Sequence, residues 1–493
     1  MAKHNITPMT QQSCKTQSVV PDSGFYRFSE RQVMVAILTL ATLLRLIGAN
    51  SEFWFDEIVV VQNQVRLSAY EIVTQYDSAG HHVMNALLAH FSAAIWGEQP
   101  WAVRLPSILF GIAGVWAFYF LARQLWSRQI ALLGTLMYAV SYHHVYYTQN
   151  ARAYTALLFF ALLASGLLLR LLQASTKRSA RWYGVAYACA IGLGTYALVI
   201  MLFIIAGHGC VLLVARRWHA LGWLLVGIVF ALLLYTPMLS NLVVYYAQHL
   251  ETGHALFSIG FIRELKPVIP LLLCGAVVAP VLLWRLAQRH PLAAALIVIP
   301  LVLNTVGPAL RGQGLHPRSL IYGLPVAYFF LMEGLDWARL RFRWATWIAV
   351  GVVTVVSLVM LVRYYPLPKQ GFQQALHYIA AHRSPNDEQM GLTLGGKAAR
   401  FYDPSLVIIE TPDQLRQWLE NARDPTWVLF TFESELRNTT PELHDWLMTA
   451  TTHQAIFPGV IGDGAVQVRL WLPNAGGQSG DSNEAGSVTP NKH

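Results

Sequence analysis

Apolar stretches of about 17 to 22 residues recur between Val33 and Arg363, separated by loops too short to be domains. At a rise of 1.5 Å per residue, each is long enough for a helix crossing a hydrocarbon core of ~30 Å. In water such segments would need a large polar shell. The chain does not supply one: of its 493 residues 55% are hydrophobic and only 12% charged. The pattern predicts a mainly α fold, a polytopic transmembrane helix bundle of about eleven spans. These lie near 33–49, 103–122, 129–146, 153–172, 183–198, 199–215, 219–237, 267–286, 291–309, 318–336 and 345–363. The stretch 81–97 is also apolar, but it is short and carries three histidines, so it reads as an interfacial helix.

Charge supports that count. With the amino terminus in the cytoplasm, eleven spans put Arg123 and Arg128, the 170–181 cluster, Arg216 and Arg217, Arg285 and Arg289, and the 339–343 cluster inside. The outer loops keep only the isolated Arg66, Arg104, Arg152, Arg263, Lys266, Arg311 and Arg318. Cytoplasmic loops of membrane proteins carry the excess Lys and Arg. Were 81–97 to cross as well, every later loop would change sides and the asymmetry would invert. The net charge of +9 is therefore a matter of topology, and no nucleic-acid partner is expected. The four cysteines form no CxxC pair, so neither a disulfide nor a cysteine-metal site is expected.

The domain reading follows. Residues 1–32 form a cytoplasmic tail, and the first apolar run is an uncleaved anchor. Residues 33–363 form the transmembrane domain. Beyond Tyr364 the composition turns polar, with helical patterns at 371–382, 412–421 and 441–450 alternating with apolar runs at 391–394, 406–409, 427–432 and 466–471. That alternation predicts a small α/β domain over 364–473, extracytoplasmic because the number of spans is odd. The Gly- and Ser-rich segment 474–493 reads as a disordered tail.

The first outer loop, Asn50-Ser51-Glu52-Phe53-Trp54-Phe55-Asp56-Glu57, sets adjacent carboxylates among aromatic side chains directly after a span. Desolvation raises a carboxylate's pKa and strengthens it as a base toward a hydroxyl or amine within reach. The plainer alternative is that Asp56 opens an interfacial helix over 56–70, its charge stabilised by the helix dipole. A second polar cluster runs from Tyr142 to Tyr154. A tyrosine belt at the headgroup level accounts for its aromatic residues but poorly for Gln149, Asn150 and Arg152. Arg104 and Arg318 stand at outer ends of spans, where guanidinium groups can clamp phosphate oxygens or simply bind anionic headgroups of membrane lipids. His81 and His82 could join Glu52 or Glu57 around a divalent metal, or act as polar interfacial groups; the residues do not decide. No nucleotide-binding loop, HExxH or GxSxG motif is present.

Taken together, Trp54-x-Asp56-Glu57, the histidine-bearing helix, Arg104-Leu105-Pro106-Ser107, Gln149-Asn150-Ala151-Arg152-Ala153-Tyr154, Gly194-Thr195-Tyr196, and Arg318 followed by Tyr322 and Pro325 resemble a known family in order and spacing. It is the family 39 group of GT-C class membrane glycosyltransferases, related to protein O-mannosyltransferases and the lipid A aminoarabinose transferase. The resemblance runs from about Val33 to Met332. It implies a GT-C-like bundle with its active site at the outer face of a bacterial inner membrane, a polyprenyl-phosphate-linked sugar donor, and inverting transfer to a lipid, glycan or protein acceptor. By the same resemblance Asp56 is the general base and Glu57 its catalytic companion. Arg104, Arg152 and Arg318 would hold the donor phosphate, while His81, His82, Gln149, Tyr154 and Tyr322 would bind substrate. Two departures stand out: relatives often have His-Pro-Pro where this chain has His81-His82-Val83, and an acidic residue near position 154, where it has Tyr154 and Thr155. A transporter or flippase of lipid-linked sugars would share the hydropathy. It should, however, carry ionisable residues along mid-membrane helix faces, whereas here they gather at one end.

Overall fold

A computed structural model describes residues 28–76, 78, 80–249, 269–310, 318–461 and 463–473. The tail 474–493 and most of the 1–32 segment lie outside the described residues, as do Arg263, Lys266 and Arg311. Ten of the eleven apolar segments overlap one α-helix each, and 129–146 is divided between two. Among the described residues five helices are individually long and apolar enough to cross a membrane: Pro100–Ala122, Tyr154–Leu172, Trp218–Tyr245, Pro291–Leu310 and Trp344–Tyr364. Glycines let several helices meet closely. A side chain at Gly227 would lie 2.8 Å from Ile191 Cβ and 3.0 Å from the Ala188 carbonyl, and one at Gly207 would strike Pro300. Small residues at helix contacts are the usual device where lipid removes the hydrophobic drive for association. Val277, Trp284, Val352 and Val362 stand exposed on outer helix faces, as expected where hydrocarbon is the solvent.

Two elements differ from the sequence reading, each for a local reason. The apolar run 129–146 breaks at Ala139, because the Ser141 hydroxyl caps a second short helix, Tyr142–Thr148. The expected helix 56–70 is instead Phe55–Val60, continued by a π-helical turn Val61–Val65. It stops there because Ser68 and Glu71 form a capping box for a new helix, Ala69–Thr74. The interfacial stretch is a helix over Val83–Trp96.

After Tyr364 the chain builds a five-stranded sheet from β1 (Glu388–Leu392), β2 (Val407–Ile409), β3 (Thr426–Phe430), β4 (Thr451–Phe457) and β5 (Val466–Trp471), in the order β2-β1-β3-β5-β4. The first three strands are parallel, β5 runs antiparallel to β3, and β4 antiparallel to β5. Strand β4 was not expected, and its alternation is weak because it lies at the sheet edge. The apolar run at 391–394 divides: β1 ends at Leu392, and Thr393 opens a helix, Thr393–Tyr402. Thr393 and Phe432 take left-handed backbone angles, φ 45° and 54°, at the ends of β1 and β3. Such angles are strained for side chains with a Cβ. At Phe432 the turn sends the ring to the acidic loop, where it meets Phe55 edge-on at 5.8 Å.

Candidate active site

The acidic loop leaves the end of the first helix, Glu30–Leu46, and the six-residue helix Phe55–Val60 follows it. A helix that short is marginal on its own, so its position is set by tertiary contacts. Its two carboxylates point into different surroundings.

Glu57 is fully buried. Arg104 reaches it with two donors, Nε to Oε1 at 2.8 Å and Nη2 to Oε2 at 2.6 Å, and the Ala151 N–H adds a third bond at 2.9 Å. Burial by itself would raise this carboxyl, but Arg104, Lys369 and the hydrogen bonds hold it below the ordinary range. Arg104 spends its other donors on the loop, with Nη1 on the carbonyls of Ala49 and Ser51 and Nη2 on that of Glu52. Both side chains are wholly shielded from solvent. Arg104, expected to face a donor phosphate, and Glu57, expected to assist catalysis, are thus a structural clasp between the loop, the Pro100–Ala122 helix and the 150–153 turn.

Asp56, one residue away, opens outward. Its Oδ2 lies 3.2 Å from Arg152 Nη1 and 3.2 Å from Arg318 Nη1. The three side chains keep 17%, 11% and 49% of their exposure, so a carboxylate and two guanidinium groups line one accessible place. The Arg152 guanidinium also lies 5.9 Å from the centre of the Tyr154 ring.

The remaining expected substrate contacts are mostly inward. His82 accepts the Ala153 N–H on Nδ1 at 3.1 Å and meets Tyr154 edge-on at 5.7 Å. Burial first, then the charges of Arg152, His81 and Arg318, push it well below the usual histidine range, so it is neutral and fixes the Arg152 turn. His81 stacks on Tyr76 and sets Nε2 3.0 Å from the Ile72 carbonyl. Gln149 donates to the carbonyls of Arg45 and Ile47, tying the end of the first helix. Tyr322 is buried and its hydroxyl turns to Ser165. The His–carboxylate set left open as a metal site is not brought together: Glu57 is committed to Arg104, and among the described residues no group of three His, Cys, Asp or Glu side chains is placed to hold a metal.

Three further residues border this site: Glu52, weighed from the sequence only as a metal ligand, and Lys369 and Gln370, which the sequence reading missed. Glu52 lies in the wall of a cavity of about 290 Å³ with Tyr365, Gln373 and His377, and burial raises its carboxyl to about 7 against a hydrogen bond from the Gln373 N–H. Lys369 is buried between the rings of Trp54 and Tyr146, 5.8 and 5.0 Å from their centres, and donates to the Gln149 carbonyl. Burial pushes its ammonium down to about 7 despite the attraction of Glu57 and Asp56. Gln370 follows, with Oε1 accepting the Phe55 N–H at 2.8 Å. The signal available for the last two was a Lys-Gln pair in the Pro366-Leu367-Pro368-Lys369-Gln370-Gly371 segment, a stiff connection immediately after the last span.

Residues 80–240 match the family model described as dolichyl-phosphate-mannose-protein mannosyltransferase. No curated protein sequence matches the chain. Among solved structures it is similar to ArnT from Cupriavidus metallidurans bound to undecaprenyl phosphate, with a TM-score of 0.59 at 14% identity over 89% of this chain and 97% of that one. The apo state of that protein gives 0.59 at 14%, over 90% and 98%. The oligosaccharyltransferase AglB from Archaeoglobus fulgidus, in complex with an inhibitory peptide and a dolichol-phosphate, gives 0.52 at 12%, over 88% and 74%. At such identities the structures speak for the fold, while the matched segment carries the interfacial helix, Arg104 and the 149–154 turn. Over residues 80–240 the chain is thus similar to the dolichyl-phosphate-mannose-protein mannosyltransferases, and over nearly its whole length it shares the fold of ArnT.

Proposed function

We propose that the protein transfers a sugar from a polyprenyl-phosphate donor to an acceptor hydroxyl or amine at the outer face of the inner membrane, with inversion at the anomeric carbon. The carrying observation is the placement of Asp56 against Arg152 and Arg318 on accessible surface, beside a neighbouring carboxylate that is fully committed to structure. ArnT, of the same fold, binds undecaprenyl phosphate, which supports a lipid-phosphate carrier here. In this reading Asp56 takes the acceptor proton as the acceptor atom attacks the anomeric carbon, and the bond from that carbon to the carrier phosphate breaks. Arg152 and Arg318 leave the carboxylate to neutralise the departing phosphate; two guanidinium groups held at the leaving oxygens supply the largest part of such catalysis. No protein nucleophile is required. The reading also has a carboxy-terminal unit in the periplasm and about eleven crossings, supported by the positions of the helices and the distribution of Lys and Arg.

Incubating purified protein with a panel of radiolabelled polyprenyl-phosphate sugars and membrane extract tests it. Wild-type protein should label an acceptor, Asp56→Asn should lose at least a thousandfold in kcat while remaining folded in the membrane, and Arg318→Ala should raise the donor KM. Full activity in Asp56→Asn removes the base assignment. Movement of intact donor across vesicles with no sugar transferred would identify a flippase instead.

A further inference from the structure

The helix bearing Asp56 has no cap from its own neighbourhood, since Trp54 stands at its amino-terminal boundary without a side-chain hydrogen bond. The cap comes from 315 residues further along the chain, where Gln370 Oε1 accepts the Phe55 N–H at 2.8 Å. Gln370 is itself fully buried, and its Nε2 donates to Thr431 Oγ1 and to the Gly464 carbonyl, both at 3.3 Å. One amide therefore bridges the residue before Asp56 to two loops of the carboxy-terminal sheet.

The surrounding contacts point the same way. The Gln373 N–H donates to Glu52 Oε2 at 2.8 Å, and the Tyr402 hydroxyl donates to the Phe53 carbonyl at 3.0 Å. Phe401 meets Phe53 edge-on at 6.0 Å, as Phe432 meets Phe55. Every residue from Glu52 to Phe55 is thus held by something beyond Tyr364, with Lys369 against Trp54 completing the set. The 368–370 segment is in turn fastened to the sheet unit: the Val460 N–H donates to the Pro368 carbonyl at 3.1 Å, and a side chain at Gly459 would sit 2.2 Å from the Lys369 carbonyl.

We infer that the carboxy-terminal unit is a working part of the active site, and that Gln370 is the positioning residue through which it fixes the Asp56 helix for proton abstraction. The physical need is plain: a helix of Phe55–Val60 and one π turn, with no cap from its own neighbourhood, is too short to hold its own geometry, and a displacement of about 1 Å at a base can cost on the order of a hundredfold in rate. This inference rests on the transfer reading given above.

Two full-length variants test it. Gln370→Met keeps length and volume but offers the Phe55 N–H no good acceptor, whereas Gln370→Glu restores an acceptor oxygen. The expected result for Gln370→Met is a kcat lower by about tenfold or more with both KM values unchanged. Backbone hydrogen exchange should quicken at residues 53–60 and stay as in wild type in the membrane helices. Gln370→Glu, which keeps the acceptor for the Phe55 N–H but loses the donor to the Gly464 carbonyl, should recover part of both. A merely structural role would lower the yield of folded protein without changing kcat per folded molecule. Wild-type kcat and wild-type exchange at 53–60 in Gln370→Met overturn the inference. The exchange measurement needs no turnover, so it decides the clamp even if no donor is used. An active Asp56→Asn would overturn the inference along with the base assignment, whereas no transfer by wild-type protein would tell against the transfer reading instead.

Discussion

At Glu57 the carboxylate takes three short hydrogen bonds and is wholly shielded from solvent, and removing either member of such a pair leaves an uncompensated buried charge. Arg104→Met is therefore expected to destabilise the protein by roughly 3–5 kcal/mol. Thermal denaturation in detergent checks this, and a variant as stable as wild type would show that the clasp contributes little. Glu52 gives a pH dependence of a different sign. Its carboxyl is raised to about 7 in the fold against 4.5 ordinarily, so the folded state binds the proton more tightly. The stabilisation is complete below about 4.5 and is lost as pH rises through about 7. Melting temperature should fall across that window in wild type, and Glu52→Gln should flatten the fall. An unchanged slope in the variant would mean that another group titrates there.

Among the elements, the helix Thr393–Tyr402 follows β1 so closely that a side chain at Gly396 would lie 2.5 Å from the Gly391 carbonyl oxygen, and one at Gly395 2.8 Å from the Thr431 nitrogen. These neighbours are backbone and cannot turn aside. Gly396→Ala should thus cost about 1–3 kcal/mol of stability in the sheet unit. Because Phe401 and Tyr402 at the end of the same helix touch the acidic loop, hydrogen exchange should quicken in residues 52–55 as well. Exchange that rises only in the sheet would mean that the two regions are mechanically independent. The periodic apolar runs revealed nearly all the long helices, since lipid imposes an unambiguous pattern on them. The helix Thr393–Tyr402 went unseen because its glycines and short length look like a turn, and β4 because an edge strand alternates weakly.

For the molecule as a whole, the proposed topology makes a directional prediction. Single cysteines introduced at Ser405 in the sheet unit and at Ser175 between two helices should react oppositely with a membrane-impermeant thiol reagent on intact cells: the first labelled once the outer membrane is permeabilised, the second only after lysis. Equal labelling would overturn the count of crossings. The sequence by itself determined that this chain is a membrane helix bundle with a polar carboxy-terminal unit, because hydropathy is read residue by residue and a ~30 Å apolar layer sets the segment length. It also singled out Asp56, Arg152 and Arg318 through chemistry out of place at span ends. Only the tertiary structure decided which carboxylate is accessible and which is locked, turned Arg104 and Gln149 from ligand contacts into internal ties, and brought Lys369 and Gln370 to the acidic loop. Those outcomes depend on burial and on hydrogen bonds between residues up to 349 positions apart, and no local pattern encodes them.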